Sequence, residues 1–429
     1  MIVLLTILTV LSLAPACIVA FRKRRYYFPF LLVLLYYCVQ VPLMLGNMSI
    51  FIESDIYASV LYILCCNSVL TIILLSVEYR MPAPVPYRPG LDISQTATVL
   101  LLFALVGLVL YVVNQSGLDL DENTWARREE NYFSLYGPII SYCGFLIFGL
   151  WTILKRISLR VVLLPVLALI FLSTGARVIF MVLFGAFWLF SLRKLSRRQI
   201  IVFGGLAGIG FIALHVVTRV LRSVSLLSLL NGDFTPIAEA LADSQDLTGG
   251  DGSIGEGFVL AMQGVRDQAI VTAPLATITR LLLLPLPSTV VPFKPDDITY
   301  RLWRYGIESG YFDQDLYFRS LVESYSLGQN GSLHPILWGD ALLNAGWLGC
   351  LIWPALFAAL LIGLERLIMA RPDRFLGRMS AAVGAPGLIY VVRGNVFIGV
   401  VIMLIPILFS LGLLQAKRIF APRQTLTAT

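Results

Sequence analysis

Residues 2–46 read IVLLTILTVLSLAPACIVAFRKRRYYFPFLLVLLYYCVQVPLMLG, two apolar stretches separated by a short basic run. At a rise of about 1.5 Å per residue, a helix of about twenty residues is as long as the roughly 30 Å hydrocarbon core of a bilayer. Each stretch therefore predicts a transmembrane helix. The basic run predicts a loop between them on the cytoplasmic side.

The composition of the whole chain agrees with a membrane protein. Of its 429 residues, 58% are hydrophobic and only 13% are charged, against about 45–50% and 25% in soluble domains. The mean hydropathy is +0.84. These values exclude a soluble cytosolic enzyme, a disordered chain and a small disulfide-stabilised scaffold. The net charge of +7 does not indicate nucleic acid as a partner, because membrane proteins concentrate lysine and arginine in their cytoplasmic loops.

Further apolar stretches predict an all-α polytopic membrane protein with about eleven transmembrane helices. The predicted spans are 2–20, 27–46, 56–77, 96–115, 138–154, 161–174, 178–192, 200–217, 340–364, 379–392 and 396–414. Clusters of basic residues follow the odd-numbered spans, so the N terminus is expected outside and the C terminus inside. The first span is expected to stay as an anchor, because its charges follow the apolar stretch instead of preceding it.

One connection is much longer than the others and divides the chain into three parts. Spans one to eight occupy residues 1–217, an external loop occupies 218–339, and the last three spans with a tail occupy 340–429. A loop of this length is usually functional or a small domain. Within it, residues 258–284 are amphipathic and predict a helix lying on the external membrane surface, with Arg266 and Arg280 facing water.

Two short spans carry an arginine at their external end. Spans 161–174 and 379–392 have 14 residues each, a helical rise of about 21 Å, which is less than the bilayer core. Arg177 and Arg393 are therefore predicted at the floor of an outward-facing cavity, where an unpaired charge costs several kcal/mol. Arginine suits a bidentate hold on phosphate oxygens. The structural alternative is that each arginine pairs with a carboxylate such as Asp340 or caps a helix end.

A second cluster of polar residues opens the helix after the long loop, in GSLHPILWGDALLNAGWLG, residues 331–349. His334 and Pro335 are typical of a helix start, and Asp340 and Asn344 share one helical face. An imidazole titrates near pH 6.5 and can act as a base. The alternative is an ordinary helix start with an interfacial acid.

Taken together, these motifs resemble those of the Wzy-type polymerases of O-antigen and other oligosaccharide repeat units. The resemblance rests on STGAR in a mid-chain hairpin, LPLPSTVVPFKP in the long loop, HPxxxGDxxxNxGxxG at the next helix start and a late RGN. It covers roughly residues 160–400. The chain departs from the family pattern where Asp340 follows Gly339, since many relatives have a glutamate there, and in the order of residues within STGAR.

The resemblance implies a glycosyltransferase that acts at the periplasmic face of a bacterial inner membrane. It would transfer a growing glycan from undecaprenyl pyrophosphate to the sugar end of a fresh lipid-linked repeat unit. Donor and acceptor would both be undecaprenyl-pyrophosphate-linked oligosaccharides within the lipid bilayer. A co-polymerase that regulates chain length is a candidate partner, and no cofactor is implied.

The predicted roles follow from the charge that develops on the departing pyrophosphate, which fixed cations would stabilise without a metal. The expected pyrophosphate-binding residues are Arg177, Arg393, Arg280, Arg319 and Lys294. His334 is the first candidate for the base, with Asp340 and Glu323 as alternatives. The supporting residues are Asn344, Asn395 and Gly394.

Two other functions are compatible with the same features. An O-antigen ligase would share the many spans, the long loop and the phosphate-binding arginines, but would transfer a finished glycan to a lipid A core. A transporter or flippase of lipid-linked oligosaccharide would also place arginines in a cavity. It would need polar residues along a path to both membrane faces, whereas the charges predicted here gather at the external side.

Overall fold

A computed structural model of the protein describes residues 1–46, 51–78, 95–116, 253–270, 275–284, 297–311, 333–370 and 375–420, with a few shorter pieces and single positions elsewhere. All secondary structure within these ranges is helical. The predicted all-α class is therefore confirmed for this part of the chain. The predicted spans 138–154, 161–174, 178–192 and 200–217 lie outside the described residues.

The helices follow in a simple order along the chain. Their bounds are α1 Ile2–Arg22, α2 Phe28–Leu43, α3 Glu53–Glu78, α4 Gln95–Ser116, α5 Ser253–Arg266, α6 Ala276–Leu282, α7 Ile298–Glu308, α8 Ile336–Ala345, α9 Gly349–Ala370, α10 Phe375–Arg393 and α11 Val396–Phe420. Short 3₁₀ turns, Met44–Gly46 and Gly346–Leu348, extend α2 and join α8 to α9. Helices α1 to α4 lie within a few residues of the first four predicted spans.

Four stretches within the described residues are long and apolar enough to cross a bilayer: Ile2–Arg22, Phe28–Gly46, Glu53–Glu78 and Ile336–Ile368. Their outward sides expose large apolar side chains, such as Leu11 (59%) and Ile72 (63%). Exposure on this scale is stable in lipid, where apolar surface has no contact with water. The described helices are those of a helical membrane protein.

The predicted span 340–364 lies within the candidate span Ile336–Ile368, but it is not one continuous helix, because two helices with a turn between them occupy this region. Gly346 has a φ of 55°, in a region that side-chain-bearing residues rarely adopt. A Cβ at Gly349 would overlap the backbone of Ala341 and the hydroxyl of Tyr62. The two glycines thus allow α8 to end and α9 to start against it, and Tyr62 donates a hydrogen bond of 2.9 Å to the Gly346 carbonyl.

Helix α10 is longer than its apolar stretch suggested. It has 19 residues, a rise of about 28 Å, because it starts at Phe375 and includes Arg378 before the apolar stretch. The prediction was that this helix is too short to cross the bilayer, so that its C-terminal end lies below the membrane surface. The observed length does not support that reason. The burial of that end comes from packing instead: Asn395 is 3% exposed and Gly394 is buried.

The predicted surface helix over 258–284 is also wrong. Helices α5 and α6 share this region, and α5 packs against α2, α3 and α8. Phe258 and Val259 are fully buried, so α5 is an internal element. Its C-terminal end is fixed by Arg266, whose Nη1 lies 2.6 Å from the carboxylate of the buried Asp55. Arg266 is 40% exposed, which agrees with its predicted contact with water.

One residue of the basic run between α1 and α2 is buried. The Arg25 side chain is 3% exposed and its Nη2 lies 2.5 Å from Oε1 of Glu78. Its Nη1 lies 3.7 Å from Oε1 of Glu365. Arg25 thus joins the α1–α2 loop to the end of α3 and to α9, and it does not belong to an exposed basic surface.

Candidate functional site

Three segments that are far apart in the sequence meet at the start of α8. A Cβ built on Gly394, in the α10–α11 turn, would lie 2.8 Å from the carbonyl carbon of Ile336. A Cβ on Gly257 of α5 would lie 2.7 Å from the carbonyl oxygen of His334. Glycine is required at both positions because backbone packs directly on backbone. The HP and RGN motifs of the sequence are therefore neighbours in space.

The backbone at this junction is strained. Ile336 has a φ of 58° and Gly394 has a φ of 95°. A positive φ is unusual for a β-branched residue and costs on the order of 1–3 kcal/mol. Such strain clusters at ligand sites and switch regions. Here it turns the chain abruptly from His334 into α8, beside the end of α10.

Arg393 is the last residue of α10 and is half-buried. The turn that follows is fixed by Asn395, whose Oδ1 accepts a hydrogen bond of 3.1 Å from the backbone N–H of Ile398. This is the geometry of an N-cap on α11. Asn395 is therefore the N-cap of α11 and fixes the turn after Arg393, while its supporting role in the site stays a prediction.

His334 lies within reach of the Arg393 charge. Burial, and then the positive charge of Arg393, lower the pKa of His334 to about 3. The imidazole is therefore neutral near pH 7, and its buried Nδ1 has no hydrogen-bond partner among the described residues. A base works best when its pKa is near the operating pH, so this low pKa counts against the predicted base role. A neutral ring can still accept or donate a hydrogen bond.

Arg280 approaches the same turn from α6. Its Nη1 donates a hydrogen bond of 3.1 Å to the carbonyl oxygen of Pro295, and its Cζ lies 4.6 Å from the ring centroid of Phe397. The latter is a cation–π contact. Its Nε is buried and has no hydrogen-bond partner in the described part of the chain. The predicted Lys294 precedes Pro295 directly, so it belongs to the same neighbourhood.

Asp340 is buried in a network of hydrogen-bond donors at 2% exposure. Its Oδ1 accepts from the Thr277 hydroxyl at 3.1 Å. Its Oδ2 accepts from Nε1 of Trp353 at 2.8 Å and from Nδ2 of Asn344 at 3.1 Å. Asn344 in turn accepts from the backbone N–H of Thr277 at 2.8 Å. These bonds fasten α6 to α8 and α9.

This network indicates a positioning role for Asp340 and Asn344. None of the ion pairs among described residues involves Asp340, so the structural alternative, an ion pair between Asp340 and an arginine, is not seen there. Thr277 lies one turn before Arg280 on α6, and the network therefore sets where Arg280 lies. The acid or base role predicted for Asp340 stays a prediction.

Several predicted residues cannot be compared with this geometry. Arg177, Arg319 and Glu323 lie outside the described residues. Conversely, Thr277 and Trp353 belong to this geometry but were not predicted from the sequence. Thr277 could have been noticed at i−3 from Arg280, whereas nothing local links Trp353 to Asp340. In the described ranges, no group of three His, Cys, Asp or Glu side chains could hold a metal ion.

Comparisons with known proteins found no matching family model, no matching curated protein and no matching solved structure. Its function therefore has to be argued from the residues of this site and from the motifs they belong to.

Proposed function

We propose that the chain is a glycosyltransferase that polymerises lipid-linked oligosaccharide repeat units, as the Wzy-type polymerases that its motifs resemble do. It would act in a bacterial inner membrane with its site towards the periplasm. The observation that carries the proposal is the proximity of Arg393 to the neutral His334, with Arg280 held against the first turn of the helix that follows Arg393. Arg393 ends α10 beside His334, and Arg280 lies over Phe397 in the first turn of α11.

The chemistry needs positive charge where a pyrophosphate leaves. The acceptor hydroxyl oxygen attacks the anomeric carbon of the donor glycan, and the bond from that carbon to the phosphoryl oxygen breaks. The electron pair departs with undecaprenyl pyrophosphate, and the hydroxyl proton passes to a base. Arg280 and Arg393 would stabilise the developing charge from fixed positions, a contribution of about 2–4 kcal/mol for each contact. Arg177, Arg319 and Lys294 are proposed as further cations of this group.

His334 would contribute mainly by orienting the acceptor. As a neutral ring it can accept a hydrogen bond from the sugar hydroxyl and hold the oxygen in line for attack. A pyrophosphate bound by Arg393 would offset the arginine charge, which is the smaller of the two causes of the low pKa. Burial would remain, so proton removal by His334 is disfavoured, and Glu323 stays the alternative base.

The surroundings of the site also support a lipid-linked substrate. The turn lies at the ends of apolar helices, so a long isoprenoid chain could remain in lipid while its anionic head reaches the arginines. Both donor and acceptor would be undecaprenyl-pyrophosphate-linked oligosaccharides in this proposal. A co-polymerase would act from outside the site to set the chain length.

The test is a polymerisation assay with purified protein in detergent, lipid-linked repeat units and a chelator. Arg280→Ala and Arg393→Ala should each lower the rate of ladder formation by about 10²–10³-fold. Arg304→Ala is the matched control, because Arg304 is 63% exposed and lies on α7 in an i,i+4 pair. Long polymer at an unchanged rate from both site variants would refute the proposal.

The same assay separates the other two functions. Transfer of one finished glycan to a lipid A core acceptor, without a ladder, would indicate a ligase. Movement of lipid-linked sugar across vesicles without a covalent product would indicate a transporter or flippase.

A further inference from the structure

Asp297 lies in a short segment that is hydrogen-bonded to the candidate site on both sides. Two residues before it, the carbonyl oxygen of Pro295 accepts the hydrogen bond of 3.1 Å from Nη1 of Arg280. Two residues after it, the carbonyl oxygen of Thr299 accepts a hydrogen bond of 3.2 Å from the backbone N–H of Leu333. Two residues of extended chain span at most about 7 Å. The α carbon of Asp297 is therefore within about 7 Å of the α carbon of each bonded residue.

Polar atoms without partners occur at both of these connections. Nε of Arg280 is buried and has no hydrogen-bond partner in the part of the chain that the structure describes. The same holds for the buried Nδ1 of His334, which follows Leu333 directly. Buried polar atoms rarely lack a partner, so two of them around one short segment indicate that a polar ligand binds there.

One oxygen of the Asp297 carboxylate is bound by the protein and the other is not. Oδ1 accepts hydrogen bonds from the backbone N–H of Thr299 at 2.9 Å and from its hydroxyl at 2.7 Å, so the side chain caps α7 in a fixed orientation. Oδ2 takes part in neither bond, and no other hydrogen bond or ion pair of this side chain occurs among the described residues. The residue is partly exposed, so a ligand can reach it.

Capping α7 does not require a carboxylate. Serine and asparagine cap helices as well as aspartate does, because one side-chain oxygen is enough to accept from the first turn. The second oxygen of Asp297 is therefore available for another task. A carboxylate oxygen held in a fixed position within hydrogen-bond reach of a substrate hydroxyl can act as a general base.

The proposed glycosyl transfer needs such a base. The low pKa of His334 counts against the imidazole, and Glu323 lies outside the described residues. We propose that Asp297 is the catalytic base and that the acceptor sugar hydroxyl binds at its Oδ2; this inference rests on the proposed function. The hydroxyl proton passes to Oδ2 while the hydroxyl oxygen bonds to the anomeric carbon. The bond from that carbon to the phosphoryl oxygen breaks, and its electron pair leaves with undecaprenyl pyrophosphate.

The test is the kinetics of polymerisation by the full chain in detergent. Asp297→Asn keeps an oxygen for the bonds from Thr299 but cannot remove the proton. We expect kcat to fall by about 10²–10⁴-fold, while KM for the lipid-linked repeat unit and the thermal unfolding temperature stay unchanged. Asp297→Ser also preserves a good N-cap and should lose kcat in the same way, so the test does not depend on one variant folding.

Asp233→Asn is the matched control, because it is the same substitution in a similar turn. Oδ1 of the exposed Asp233 accepts a hydrogen bond of 3.1 Å from the backbone N–H of Thr235. This variant should have the wild-type kcat.

Two results would overturn the role of Asp297 as the base. One is an unchanged kcat in both Asp297 variants. The other is an unchanged kcat with a raised KM or a lowered unfolding temperature, which is the result expected if the side chain only caps α7. Failure of the proposed function gives a different result, because the wild-type chain would then form no ladder from lipid-linked repeat units.

Discussion

Replacing Asp340 by asparagine and by alanine separates positioning from catalysis. Alanine leaves Nε1–H of Trp353 without its acceptor at 2.8 Å and removes the acceptor of the Thr277 hydroxyl at 3.1 Å. Each orphaned buried donor costs about 1–3 kcal/mol. Asparagine keeps one oxygen for Trp353, and its new N–H₂ group can donate to the Thr277 hydroxyl oxygen. We therefore expect a cost of about 1 kcal/mol or less for asparagine.

The assay combines thermal unfolding in detergent with polymer formation. Asp340→Ala should unfold at a clearly lower temperature and lose activity, because α6, which carries Arg280, loses its side-chain bond to Asp340 and keeps only those to Asn344. Asp340→Asn should retain most of both. Glu308→Ala is a suitable control, since Glu308 is 61% exposed in its pair with Arg304 and exposed pairs contribute about 0–1 kcal/mol.

One result would refute the positioning role. An asparagine variant as stable as the wild type but without any product would mean that the carboxylate takes part in proton transfer, because asparagine cannot replace it there. Equal stability of the alanine variant and the wild type would instead contradict the hydrogen-bond network itself.

Three further predictions concern stability. Gly394→Ala should destabilise the protein by about 2 kcal/mol or more, since a Cβ would overlap the Ile336 backbone at a positive φ; Gly107→Ala, with open space around it, should be neutral in the same thermal scan. Arg25→Met should cost about 3–5 kcal/mol, because the two carboxylates near Arg25 lose their buried partner; an unchanged unfolding temperature would contradict this. The pKa of His334 is about 3 in the folded state and near 6.5 in the unfolded state. As the pH falls below 6.5, the unfolded chain therefore binds a proton that the folded chain does not. The free energy of unfolding should fall by up to about 1.4 kcal/mol per pH unit below 6.5, and His334→Phe should flatten that slope in pH-dependent unfolding.

The transmembrane helices could be predicted because their signal is local. Helices α1 to α4 match apolar stretches that can be read directly along the chain, and α11 starts at the predicted residue. Apolar stretches predicted the helices incorrectly where a glycine ends a helix or where neighbouring helices bury one. Gly346 ends α8 inside a stretch that is continuous in hydropathy, and α5 is internal because α2, α3 and α8 pack against it.

Single residues of the candidate site could be identified from the sequence, but their arrangement in space could not. His334 and Arg393 were identified from their motifs, and their proximity follows only from the packing of Gly394 on Ile336. Asp340 was expected to face an arginine or a substrate. Its partners Thr277 and Trp353 come from two other helices, and no spacing in the sequence connects them.

By itself the sequence determined that the chain is a helical membrane protein and which short segments carry unusual polar groups. Apolar length and the position of charges decide this, because each helix forms its own backbone hydrogen bonds. Whether the helix is stable in the bilayer then depends only on whether its side chains suit lipid or water. Tertiary structure alone decided which polar groups meet, which arginine is held by which carbonyl, and which carboxylate is enclosed by donors. Those contacts depend on close packing between helices, where one missing Cβ or one backbone angle selects the neighbour.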